Sequence, residues 1–60
     1  MYYFNAHYTN MDNEMHRIYT ISFDGQFFNN EKECYMYAMG MAYDNMTEYE
    51  SLDYVEFIAC

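Results

Sequence analysis

Carboxylates are the most numerous groups in this 60-residue sequence that could do chemistry. There are ten, opposed only by Arg17 and Lys32, for a formal net charge of −8. Asp44, Glu48, Glu50, Asp53 and Glu56 fall close together with no base among them, and Asp12/Glu14 and Glu31/Glu33 add two further pairs. Dense carboxylates on a rigid surface can imitate nucleic-acid phosphates, because duplex DNA presents one charge per about 1.7 Å of axis. Such a field steers its owner toward a basic groove and makes binding sensitive to salt. A solvated acidic surface that serves only solubility is the plainer account of the same charge run.

The remaining reactive side chains form no motif. His7, His16, Cys34 and Cys60 could in principle make a Cys₂His₂ set, but none of the paired spacings that pre-form a zinc site occurs. Neither Asp12-Asn13-Glu14 nor the stretch from Asp44 to Glu50 has the alternating ligands and central glycine of a calcium loop. GxSxG and P-loop patterns are absent. A nucleophilic thiol at Cys34 or Cys60 would need a cationic neighbourhood, and the field here is negative. Cys34 reads as a small buried hydrophobe. We therefore expect no catalytic residues, no metal, no cofactor and no enzyme activity.

Charge excludes other classes. Phosphate contacts and polybasic lipid attachment both need clustered Lys and Arg, so direct nucleic-acid binding and membrane association are not expected. Tyr2, Phe4, Tyr8 and Tyr19 could act as stacking platforms for single strands only beside a basic groove. No run approaches the roughly 20 apolar residues of a membrane span, and Met1-Tyr2-Tyr3-Phe4 lacks the basic start of a signal peptide. With two thiols outside any disulfide framework, the expected compartment is a reducing cytoplasm.

These side chains need elements to position them. Hydrophobic residues make up 53% of the chain, too many for a disordered tail. The stretch from Tyr2 to Thr9 alternates Tyr2, Phe4, Ala6 and Tyr8 against Tyr3, Asn5, His7 and Thr9, a strand pattern. Polar residues 10–14 form a turn, and Met15 to Phe23 returns as a second strand, making an antiparallel hairpin. Asp24-Gly25 ends it with a tight turn that favours positive φ. Phe27 and Phe28 lead onward as either core or anchor. Asn30 then caps a helix, with Glu33 placed for a capping box. Tyr35, Ala38, Met39, Ala42, Met46 and Tyr49 follow helical spacing and form its core stripe. Asp53 to Ala59 alternates again as a third strand, with Val55, Phe57 and Ala59 opposite Tyr54, Glu56 and Ile58. The order is ββαβ: an α+β fold, one compact domain over residues 1–60, with a three-stranded antiparallel sheet and one helix on a face.

The opposite helix face carries Met36, Tyr37, Gly40, Tyr43 and Asp44, with no charge between Glu33 and Asp44. A helix apolar nearly all round is usually covered on two sides. Either the hairpin wraps around it, or Met36, Tyr37, Gly40 and Tyr43 form an interface with a target or a second copy. A domain this short hides only about 60% of its unfolded surface, which favours the interface, whether with a target or in a homodimer.

In size, charge, single-domain character and ββαβ order, the chain resembles the small acidic inhibitor proteins of bacteriophages and mobile elements, among them anti-CRISPR proteins and uracil-DNA glycosylase inhibitors. The resemblance rests on no shared motif. It implies a DNA mimic that blocks a bacterial nucleic-acid-binding protein, with Asp44 to Glu56 as the phosphate-like surface and Met36, Tyr37, Gly40 and Tyr43 as dimer seam or apolar anchor. The alternative expectation is a small homo-oligomeric structural or regulatory adaptor that uses the apolar helix face.

Overall fold

A computed structural model describes residues 1–59, with only the backbone at Phe27. The alternatives raised for the Cys60 thiol and the Phe27 ring lie outside the described residues. The elements are β1 (Tyr2–Asn10), β2 (His16–Phe23), a 3₁₀ turn (Gly25–Phe27), α1 (Glu31–Asp44) and β3 (Glu50–Ala59). The sheet is antiparallel with order β2-β1-β3, so the first strand is central. The architecture is the α+β, ββαβ arrangement expected from the sequence.

Alternation in β1 sorts its side chains as expected. Phe4, Ala6 and Tyr8 are buried beneath α1, while Asn5, His7 and Thr9 line the open face. Ala6, Ala38 and Ala42 share the core with Cys34, Ile21 and Val55, and small residues there let helix and sheet approach closely. The core stripe of α1 is therefore Cys34, Ala38 and Ala42, with Met39 and Met46 packed against it. Tyr35 and Tyr49, expected in that stripe, are 42% and 55% exposed. A four-residue step from Cys34 to Ala42 selects the narrow residues and leaves the Tyr35 ring on the flank, while Tyr49 lies beyond the helix, which ends at Asp44.

Each turn has its own chemistry. Asn10 Oδ1 accepts from the backbone N–H groups of Asp12 and Asn13, and Glu14 closes the hairpin at φ 60. No glycine has positive φ among the described residues, which corrects the expectation for Gly25. Asp24 instead caps the 3₁₀ turn, accepting from Gln26 N at 3.0 Å. Glycine is needed at 25 for space: a Cβ there would overlap the Tyr2 ring. Asn30 caps α1 by accepting from Glu33 N at 2.9 Å, and Glu33 reaches back one residue further than a capping box requires, to Asn29 N.

β3 starts at Glu50, three residues before the expected boundary, and departs twice from simple alternation. His7 pairs with Tyr54 but Tyr8 pairs with Leu52, so Asp53 is an inserted residue; a second shift falls at Ile58. The first bulge lets both Leu52 and Val55 face the helix. The second separates Ala59 from the side of Val55 and Phe57, against the expected grouping.

Candidate functional site

The sequence-predicted residues divide among three places. Met36, Gly40 and Tyr43 lie together on the outer side of α1, one helical turn apart, and all are exposed. A Cβ added at Gly40 would meet nothing within 4 Å. The hairpin does not wrap over this face. Tyr37 belongs elsewhere: its ring packs edge-on against Phe23 at 4.8 Å and tilts against Phe28 at 5.1 Å.

The five clustered acids do not share one surface. Asp44 ends the helix and Glu48 sits in the following turn, both exposed. Asp53 and Glu56 are on the open sheet face, on the far side of the sheet from the helix. Glu50 is buried on the helix side, its side chain 7% exposed. Its carboxylate accepts two parallel bonds from Arg17, Nε to Oε2 and Nη2 to Oε1, both 2.8 Å, and a third from Thr47 N at 3.1 Å. Those bonds, Arg17 first, hold its pKa at about 2, below the ordinary 4.5. Glu50 is structural and is not part of an exposed acidic surface.

Arg17 is the hub that the sequence left unassigned. Its guanidinium lies 4.3 Å over the Tyr8 ring and also donates to the Asn45 carbonyl and side chain, at the C-terminal end of α1. Below it, Tyr8 Oη donates to Ala42 O at 2.6 Å, satisfying a carbonyl in the helix's last turn. Burial pushes the Tyr8 phenol up, partly offset by Arg17. With Arg17 committed inward, Lys32 is the single basic side chain outside that pair, against nine carboxylates.

The open face carries an ordered polar network. His7 Nε2 donates to Glu56 Oε1 at 3.0 Å, and the His7 ring stacks on Tyr54 at 4.2 Å. Thr9 Oγ1 donates to Asp53 Oδ2 at 2.6 Å. Its single hydrogen being used there, the same oxygen accepts from His16 Nδ1 at 3.1 Å. Among the described residues no group of three His, Cys, Asp or Glu side chains is placed to hold a metal ion. Strand alternation foretold which side chains of β1 line this face, but the partners across strands depend on the bulge at Asp53.

One further concavity, about 380 Å³, opens between the start of α1 and the sheet, lined by Tyr2, Phe4, Cys34, Tyr35 and Phe57 with Glu31 and Lys32 at its lip. Its residues are dispersed through the sequence and no local pattern announces it. Among the described residues no helix is long and apolar enough to cross a membrane. Compared with protein-family models, with curated proteins and with solved structures, the chain matches none.

Proposed function

We propose that this chain is a non-enzymatic acidic inhibitor that occupies the nucleic-acid-binding surface of a bacterial protein, a CRISPR effector or a DNA-repair enzyme, and competes there with DNA or RNA. The supporting observation is the inward commitment of Arg17 to Glu50, which leaves the outer charge almost wholly negative. The body is 39 Å long, so the net charge of −8, summed over all its faces, averages one charge per about 5 Å of length. A single DNA strand carries one per about 3.4 Å, which makes the comparison with one strand closer than with a duplex. Within the acidic run, Asp53 and Glu56 are the exposed carboxylates held by hydrogen bonds, to Thr9 and His7 on the open face.

The test is capture from bacterial lysate on the immobilised chain, followed by elution with single-stranded DNA or with a salt step. Release of a nucleic-acid enzyme by both supports competition. Retention of the partner against excess DNA and salt would overturn it.

The second reading, an adaptor that works through α1, is favoured by the exposure of Met36 and Tyr43, 61% and 55%, beside open Gly40. In that case Gly40→Arg abolishes partner capture while amide substitutions of the exposed acids leave it intact.

A further inference from the structure

The sheet has two outer strands, and their edges differ. β3 carries exposed Asp53 and Glu56 and two register shifts against β1, features that discourage edge pairing. β2 pairs with β1 in unbroken register from Thr9↔His16 to Tyr2↔Phe23. It contains no acid and no proline, and its one cation, Arg17, is turned toward Glu50. Ile18, Thr20 and Ser22 are exposed, Ile18 by 57%.

The phase of the ladder identifies the free backbone groups. Asn10 N donates to Met15 O at 2.8 Å, so hydrogen-bonded pairs with β1 recur at Arg17, Tyr19, Ile21 and Phe23. The N–H and C=O groups of His16, Ile18, Thr20 and Ser22 therefore point away from the sheet. No backbone bond from another described segment reaches them.

We propose that this edge is where a second copy of the chain adds, β2 against β2 and antiparallel about a two-fold axis, to build a six-stranded sheet. The occupant follows from charge. Another copy also carries −8, and a like-charged partner requires a lane without carboxylates, which β2 supplies along its whole length. A basic partner would be held better by the acidic edge of β3. Registers centred on a residue keep facing side chains on the same side of the joined sheet, and the two that overlap most of β2 are centred on Tyr19 and on Thr20. The Tyr19 register brings Asp24 toward Glu14 of the second copy. The Thr20 register brings Asp24 toward His16 instead and sets Ile18 beside Ser22, so it is the one selected. Because β3 is blunted, the assembly closes as a dimer and does not extend into a fibre.

Sedimentation equilibrium across the micromolar range tests this on the whole chain. The expected mass is twice the 7.4 kDa of one chain. Thr20→Pro removes an outward N–H and leaves the β1 ladder intact, so it returns the monomer mass with the circular dichroism of the native fold. Ile18→Glu places a carboxylate in the lane and does the same; Gly40→Arg remains dimeric. Amide exchange provides a readout free of substitution: Ile18, Thr20 and Ser22 amides are protected at high concentration and lose that protection on dilution. A monomer throughout, exchange at those amides unaffected by concentration, or a dimer abolished by Gly40→Arg alone would overturn the proposal.

Discussion

Arg17 and Glu50 stand on the two outer strands of the sheet and meet across the Tyr8 ring on the strand between them. The pair closes β2 and β3 over β1, and its bonds to Asn45 and Thr47 tie in the end of α1 and the turn that follows. A carboxyl whose pKa is lower in the folded state lends stability above its unfolded value and loses that contribution as pH falls toward the folded one. For Glu50 the window runs from about 4.5 down to about 2. Thermal melting of wild type and Glu50→Gln should therefore differ by a constant gap at neutral pH, with wild type the more stable. That gap should close on acidification through the window; a gap that widens would contradict the role given to the pair.

Tyr8 joins the same cluster through its hydroxyl. Tyr8→Phe keeps the ring under Arg17 but leaves the Ala42 carbonyl without its 2.6 Å partner. Loss of one partner of a buried hydrogen bond costs about 1–2 kcal/mol. In a domain this size that lowers the melting temperature by roughly 4–16 °C. Calorimetry that finds no change would show the Ala42 carbonyl to be satisfied some other way.

The two glycines should respond oppositely to alanine. Tyr2, whose ring blocks a Cβ at Gly25, is itself packed against Phe23 and Phe57 at ring distances of 6.3 and 6.2 Å. Gly25→Ala is expected to destabilise by about 1–3 kcal/mol through that overlap. Gly40 is helical, exposed and surrounded by open space, so Gly40→Ala should stabilise by about 1 kcal/mol. Urea titration of both variants checks the signs.

What could be read from the sequence was whatever depends on local periodicity. Two-residue alternation placed Phe4, Ala6 and Tyr8 inside and His7 outside, and the Asn30 cap fixed the start of α1. Position 50 shows where such reading fails. Glu50 looks like one more member of an acidic run, yet it is buried because Arg17, 33 positions earlier, reaches it through a sheet order that puts β1 in the middle. The same applies to Asp53, itself the inserted residue of a bulge, and to Gly25, whose neighbour Tyr2 comes from the far end of the hairpin. Tertiary approach, more than backbone preference, decides all three positions.

The proposed inhibition makes a graded demand on the acids. Asp53 and Glu56 are each fixed by a side-chain bond on the flat open face, whereas no hydrogen bond to the Asp44 or Glu48 side chain occurs among the described residues. A charge already held in place loses less conformational entropy when it meets a basic groove. The double substitution Asp53→Asn with Glu56→Gln should therefore weaken target binding more than Asp44→Asn with Glu48→Gln. Both pairs should flatten the salt dependence, by up to about two charges' worth in the slope of log affinity against log salt. Glu50→Gln should leave that slope unchanged while lowering stability, because its carboxylate is buried against Arg17 and cannot meet a basic groove. Titration of the captured target at several salt concentrations separates the three variants. Equal slopes for wild type and both exposed pairs would remove electrostatics from the interaction and leave the Met36, Gly40 and Tyr43 face to account for it.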